Sequence, residues 1–246
     1  MFAFLSDHLG TFASGAVVTL QYTAASCLLG AVLAVPIALM RLSRKPAVFW
    51  PATVYVLFFR GTPLLAQIFL IYYGSGQFRH ALEAVGLWQL FREPWLCAIL
   101  TLSLNTAAYS SEIFRGALQA IPRGEVEAAL ALGLSRVQRL RFILLPRALA
   151  AAWPAYTNEI VYQLQATSLV SIITVMDVTG VARVIASRNF AFYEAFVTAA
   201  AFYLAIVYLV LLLARRVERR LNGPLTAARH GAANRGSALD GPQNRP

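Results

Sequence analysis

Two ionisable residues lie deep inside apolar sequence, and they are the main candidates for chemistry in this chain. Arg60 stands about a dozen positions into the apolar run 48–73, and Glu159 lies about as deep in a later one. At about 1.5 Å per helical residue both fall near the middle of a bilayer, where a charge usually has a function. Glu159 either contacts a cationic solute or has an internal partner, such as Arg60. The glycine and proline of FRGTP disturb the helix after Arg60, so its guanidinium could instead satisfy the carbonyl groups left free.

The sequence contains no group of residues arranged for a common kind of catalysis. The three histidines lie in terminal or loop segments, so no serine has a histidine and an aspartate placed to activate it. Cys27 and Cys97 stand singly in apolar runs, without metal-ligand spacing. A phosphate loop is also missing from the sequence, because the only lysine, Lys45, is followed by proline. We therefore expect no catalytic residue, no metal site and no ATP site in this chain.

The composition indicates an integral membrane protein. Of the 246 residues 59% are hydrophobic and 13% charged, with a mean hydropathy of +0.61, which is rare for a soluble domain. The formal charge of +10 comes from 20 arginines and one lysine. These residues cluster beside apolar runs, as the positive-inside rule predicts, and this argues against nucleic-acid binding. We predict an all-α bundle of about five transmembrane helices.

Five runs are apolar enough to be the spans of this bundle. They cover residues 16–40, 48–73, 95–114, 148–175 and 191–214. The polar stretch 75–94 is predicted to be a loop, and the fourth span to break near Gln163–Ser168. No internal repeat is visible, which argues against a secondary transporter made of two repeats.

The distribution of basic residues predicts the orientation. With five spans, 16 basic residues fall on one side, including segment 115–147 and the C-terminus, and 4 on the other. The richer side is the cytoplasm. We therefore predict an N-terminal segment 1–15 outside, a transmembrane domain 16–220, and a cytoplasmic tail 221–246 whose composition indicates disorder.

The stretch EAALALGLSRVQRLRFILLP, residues 127–146, predicts two helices joined at a corner. EAALAL is a strong helix former, and Gly133 directly after it is a C-cap signal. Ser135 and Gln138 match a capping box that starts a second helix, which Pro146 closes or kinks. Residues 128–132 are small and apolar, and we expect them to be exposed. They form a docking surface, or they pack on the protein's own bundle.

Several motifs resemble a known family. The pattern E127-A-A-x-x-x-G133-x9-I143-x-L145-P146 is similar to the EAA loop of ABC importer permeases. Further matches are FRGTPLL (59–65), LIYYG (70–74), LTLSLNTAAYSSEIFRGAL (100–118), PAYTNEI (154–160) and ATSLVSIITVMDVTG (166–180). Together they resemble the polar amino acid permeases of the histidine, arginine and opine type, over roughly residues 15–220.

The resemblance implies a type I ABC importer permease fold in the bacterial inner membrane. Residues 122–146 would form a cytoplasmic coupling helix that sits in a groove of a separate ATPase. The residues implied in coupling are Glu127, Ala128, Ala129, Gly133, Ile143, Leu145 and Pro146. The implied partners are an ATPase dimer that holds ATP and Mg, an extracytoplasmic amino-acid-binding protein, and a second permease subunit that is either the same or a different chain.

The resemblance also suggests where substrate binds and what it is. The candidate substrate residues are Arg60, Asn158, Glu159, Gln165 and Thr167. Many relatives have lysine where Gln165 stands, and losing that cation favours a positively charged substrate. We expect arginine, histidine, lysine, ornithine or opines. A glutamine, glutamate or cystine permease remains an alternative, and an ATP-independent carrier or an intramembrane enzyme are rivals from other classes.

Overall fold

The computed structural model describes residues 2–239, with side chains for residue 4 and residues 6–221, and this part of the chain is helical without a strand. The α-helices are α1 Phe2–Arg41, α2 Pro46–Gly61, α3 Leu64–Tyr72, α4 Arg79–Ala84, α5 Trp88–Phe91, α6 Pro94–Gln119, α7 Arg123–Ala131, α8 Arg136–Arg139, α9 Leu145–Ala166, α10 Val178–Asn189 and α11 Phe192–Leu239. Two 3-10 segments, Gly74–Phe78 and Thr167–Ile173, and one π segment, Leu140–Leu144, complete them. The all-α class is confirmed. The loop expected at 75–94 is wrong in detail, because short helices occupy it.

Two single helices in the described part are long and apolar enough to cross a membrane. They are Ser6–Arg41 within α1 and Phe192–Leu221 within α11. Two bent pairs raise the number to four if each is one span: α2 with Leu64–Ala84, bent by 107°, and Arg136–Ile173 with α10, bent by 46°. The helix at the predicted third span, α6, is about 39 Å long but carries many polar residues. The total of five spans therefore stays a prediction.

Those polar residues explain the place of α6 at the centre of the bundle. Its buried polar side chains are Thr101, Ser103, Asn105, Thr106, Ser110 and Ser111. The helix packs along α1 and also against α2, α3 and α9. Gly30 permits a close approach of α1 to α6, because a Cβ there would lie 2.3 Å from Cγ2 of Thr106. A helix with buried polar groups thus serves as the core on which the apolar helices pack.

Apolar clusters hold the other helices on this core. One cluster joins the first half of α1 to α10 and α11 through Phe12, Val178 and Ile206. Another is built mainly of alanines from α1, α6 and α9 around Phe114. At the chain ends, α1 begins at Phe2, within the predicted segment 1–15, and α11 is assigned to Leu239. Residues 240–246 lie outside the described part, and the disordered tail 221–246 stays a prediction.

Candidate functional site

The helix is interrupted between α2 and α3, and a glutamine side chain donates hydrogen bonds to the backbone carbonyl groups there. Gln67 is 2% exposed, and its Nε2 donates to the carbonyl oxygens of Phe59 at 2.9 Å and Thr62 at 3.1 Å. Asn105 of α6 donates to Oε1 of Gln67 at 2.9 Å, which fixes the amide in place. The expectation that Arg60 satisfies these carbonyl groups is therefore wrong. Gln67 lies one helical turn into α3, and its role was not visible in the sequence.

Arg60 instead faces an open space beside α6. Its side chain is 44% exposed, its guanidinium carbon lies 5.2 Å from the centre of the Tyr109 ring, and Nη1 is 4.0 Å from Oε2 of Glu112. A cation over an aromatic face is weakly attracted, so Tyr109 helps to hold the guanidinium while much of the side chain stays exposed. The predicted pair with Glu159 is not formed, because Glu112 is the carboxylate within ion-pair distance.

Glu159 is buried between α9 and α6. The residue is 7% exposed, and Oε1 accepts a hydrogen bond of 2.8 Å from Oγ1 of Thr106, which is fully buried. A buried carboxylate is stabilised when a donor points at it, and Thr106 supplies that donor. Sequence reasoning missed Thr106, although it lies in the quoted motif LTLSLNTAAYSSEIFRGAL.

An open polar stripe runs along the adjacent face of α9. Asn158, Tyr162 and Gln165 recur at steps of four and three residues, and all three are exposed. The Tyr162 ring lies 6.1 Å from that of Tyr109, which connects the stripe to the side where Arg60 lies. Two predicted residues, Asn158 and Gln165, are thus brought onto one surface with two tyrosines.

Thr167 does not belong to this surface. It is fully buried, and its hydroxyl donates to the carbonyl oxygen of Leu164 at 2.8 Å. It begins the 3-10 segment that follows α9, where the sequence predicted a break. In this conformation Thr167 therefore stabilises the change of helical form and faces no open space.

One carboxylate on α6 gathers three arginines. Oε1 of Glu112 lies 3.2 Å from Nε of Arg41, its Oε2 lies 2.9 Å from Nη2 of Arg115, and Arg60 is the third and most distant. The cluster ties the end of α1 and the end of α2 to α6 and leaves an excess of positive charge. Glu112 was not singled out from the sequence, because only its spacing to Arg115 is local.

The predicted corner at Gly133 is present. Gly133 has φ +71°, a left-handed conformation that favours glycine, and its N–H donates to the carbonyl oxygen of Leu130. The N–H of Leu134 donates to the carbonyl oxygen of Ala129, which completes a Schellman motif. Ser135 and Gln138 form both hydrogen bonds of the predicted capping box. Two helices therefore meet at a fixed angle, as the local sequence predicts.

Beyond the corner, the second helix continues into the bundle. The π segment Leu140–Leu144 precedes Pro146, which lies in the first turn of α9. Pro146 therefore lies within a continuing helix and does not close it. Its side chain is exposed, while Ile143 and Leu145 are half-buried. Because helical residues precede it, Pro146 leaves a carbonyl group of the preceding turn without a helical N–H donor, and the π segment lies in that turn.

The first helix of the corner, α7, has an exposed apolar face and a buried one. Leu130 and Leu132 are 53% and 77% exposed, and Glu127 and Ala128 are also exposed. Ala129 is 1% exposed, so the expectation that it faces outward is wrong. One face of this segment therefore packs on the protein and the other is open, and the docking surface stays a prediction.

An ion pair fastens α7 to the start of α9. Nε of Arg147 donates to Oε2 of Glu125 at 2.9 Å, and its Nη2 donates to the other carboxylate oxygen. These hydrogen bonds hold the pKa of Glu125 below its ordinary value of 4.5. Helix α7 is therefore joined to α9 by a bidentate contact as well as through the backbone.

Comparison with known proteins gives one family. The family described as "binding-protein-dependent transport system inner membrane component" matches residues 26–223. The nopaline transport system permease protein NocM of Agrobacterium fabrum is 49% identical over 215 residues, 87% of this chain and 89% of that protein. The arginine ABC transporter permease protein ArtM of Escherichia coli is 44% identical over 179 residues, 72% of this chain and 79% of that protein.

Solved structures agree with the fold. A crystal structure of an amino acid ABC transporter with histidines matches with a TM-score of 0.77 at 30% identity, covering 89% of this chain and 98% of that one. The MetNI methionine ABC transporter in an inward-facing conformation matches with a TM-score of 0.69 at 21% identity, which supports the fold alone.

Proposed function

Because this chain belongs to the family of inner membrane components of binding-protein-dependent transport systems, we propose that it forms the pathway of an importer for basic amino acids or opines. It is a multi-pass inner membrane permease subunit and is not itself the ATPase of the importer. Its family works with an ATPase and a binding protein. The substrate, the stoichiometry and the orientation are our proposals.

The observation that carries the substrate proposal is a carboxylate held directly behind an open polar stripe. In its ionised form, Glu159 gives the stripe of Asn158, Tyr162 and Gln165 a negative potential, which favours a cationic group in a low-dielectric surrounding. The exposed guanidinium of Arg60 is available to a substrate carboxylate. Gln165 adds no charge that would repel a cation.

Two substitutions test this site in the assembled complex. Glu159→Gln removes the negative charge, and Gln165→Lys adds a positive charge to the exposed stripe. We expect each to reduce uptake of arginine at least about tenfold, the effect of about 1.4 kcal/mol. Glu83→Gln makes the same chemical change on α4, far along the chain from the stripe, and should leave uptake unchanged. Normal uptake and affinity in both site variants would refute the electrostatic role.

We propose that the corner at Gly133 couples this chain to the ATPase. The exposed face of α7 is the docking surface, and the Glu125–Arg147 pair passes its displacement to α9. Two ATPase subunits move two such corners, one on each permease subunit, and the pathway alternates between two open states. The second permease subunit is this chain again or a different one.

Gly133→Val tests the coupling. The added Cβ meets no atom within 4 Å, so the change acts through the backbone, where a left-handed conformation costs about 1–2 kcal/mol for residues other than glycine. Gly86 has φ +72° and equally open surroundings in the turn after α4, so Gly86→Val is the matched control. We expect Gly133→Val to lower stimulated ATP turnover and uptake severalfold. Equal activity of both variants would contradict the proposal.

The orientation can be tested with two introduced cysteines. Leu132 is 77% exposed at the corner, and Phe190 is 85% exposed between α10 and α11. The native cysteines are both buried, so their background reaction is low. In spheroplasts, a membrane-impermeant maleimide should label Phe190→Cys and spare Leu132→Cys. The opposite pattern would reverse the proposed orientation.

A further inference from the structure

The last membrane helix ends in a group of arginines that lies on its lipid-facing side. Of the most apolar 18-residue stretch of Phe192–Leu221 only 17% is buried, so α11 lies at the outside of the bundle. The exposed residues Leu204, Tyr208 and Leu212 recur every four positions along this side. At about 100° of rotation per residue, the exposed residues Arg215 and Arg219 lie on this same side, and Arg216 and Arg220 lie next to them around the helix. The surface that faces hydrocarbon therefore continues directly into guanidinium groups.

The depth of these arginines matches the phosphate layer of a bilayer. From Phe192 to Leu213 an α-helix rises about 32 Å, which is close to the roughly 30 Å of hydrocarbon in a membrane. Arg216 and Arg220 come one helical turn apart at the same end and are exposed as well. Glu218 is half-buried and lies three residues after Arg215. The four arginines thus begin where lipid tails end and headgroups start.

Nothing in the described part of the chain neutralises this group. None of the four arginines has an ion-pair partner among the described side chains, whereas Arg41, Arg115 and Arg147 each have a carboxylate. Arginine binds phosphate with two parallel hydrogen bonds and is more weakly hydrated than lysine, so it suits a site at the membrane surface.

We propose that Arg215, Arg216, Arg219 and Arg220 form a binding site for anionic phospholipid, with the headgroup phosphate on the guanidinium groups and the acyl chains along Leu204, Tyr208 and Leu212. A lipid is favoured over a protein partner or a free anion because the apolar stripe and the arginines form one continuous surface. Positive charge alone would favour any anion, but only a lipid occupies both parts.

The test uses the assembled complex, purified from membranes that contain equal amounts of phosphatidylglycerol and phosphatidylcholine. Native mass spectrometry counts the lipids that stay bound. We expect a preference for phosphatidylglycerol. We expect R216Q/R220Q to lower this preference at least about fivefold, which corresponds to the binding free energy of roughly one arginine near an anionic surface. The variant R79Q/R92Q removes two charges from the 74–93 region and should keep the preference.

Three outcomes would overturn the proposal. The first is an unchanged phosphatidylglycerol preference in R216Q/R220Q. The second is displacement of the bound phosphatidylglycerol by inorganic phosphate alone, which would make the group a free-anion site. The third is loss of a partner subunit from the R216Q/R220Q complex without a change in lipid preference, which would make it a protein interface.

Discussion

Replacing Gly30 by alanine should displace Glu159, although the new methyl group does not contact Glu159 itself. The new Cβ would lie 2.3 Å from Cγ2 of Thr106 and 3.3 Å from the backbone nitrogen of Ala107. Thr106 is fully buried, so its methyl group has no free space and α1 and α6 must separate by about 1 Å. Overpacking of this kind costs about 1–3 kcal/mol. The 2.8 Å hydrogen bond from Thr106 to Glu159 is then weakened as well.

The matched control is Gly10→Ala in the same helix, where an added Cβ meets no atom within 4 Å. That change should keep or raise stability, because alanine is the better helix former. Thermal unfolding of the purified complex measures the difference, and we expect Gly30→Ala to unfold several degrees lower. Uptake of arginine should fall with it. Equal unfolding temperatures for the two variants would refute the close packing of α1 on α6 and the support it gives to Glu159.

Further predictions concern the contacts that hold the bundle. Gln67→Leu should destabilise the complex by about 2–4 kcal/mol in thermal unfolding, because the carbonyl groups of Phe59 and Thr62 lose the hydrogen bonds from Gln67 and Asn105 loses an acceptor. Because Arg147 lowers the pKa of Glu125, their ion pair contributes its full stabilisation of the folded state above about pH 5. This contribution is lost as the pH falls through the lowered pKa of Glu125. Glu125→Gln should therefore unfold more easily than the wild type at neutral pH, and the two should converge on acidification; parallel curves would contradict this. Asp177→Ala and Tyr203→Phe should be non-additive by about 1–2 kcal/mol in a double-mutant cycle, because the tyrosine donates to that carboxylate at 2.8 Å.

The corner at residues 127–146 could be predicted because its determinants are local. A glycine that follows a helix and is itself followed by Ser-x-x-Gln leaves few conformations open, and Gly133, Ser135 and Gln138 adopt the expected one. The same holds for the change of helical form near Gln163–Ser168. In each case the interacting atoms are a few residues apart, so the sequence alone contains the geometry.

The substrate site could be predicted only in part, because its contacts join distant parts of the chain. Glu159 was identified from its depth in apolar sequence, but its donor, Thr106, is 53 residues away. The carbonyl groups at the α2–α3 break, which we expected Arg60 to satisfy, accept hydrogen bonds from Gln67 instead. Only the folding of α3 back toward α2 brings this amide to them. The burial of Ala129 likewise depends on how α7 lies against its neighbours. Periodicity predicts which helix forms and leaves open what it contacts.

The central claim is that this chain serves an ATP-driven importer of basic amino acids or opines, and the ATPase activity of the reconstituted complex tests it most directly. The complex would be supplied with its own binding protein, loaded in turn with each candidate substrate. We predict strong stimulation by a compound among arginine, histidine, lysine, ornithine, octopine and nopaline, and little by glutamine, glutamate or cystine. Stimulation only by the second group would contradict the proposed substrate class, and uptake by the chain without any ATPase would contradict the proposed mechanism.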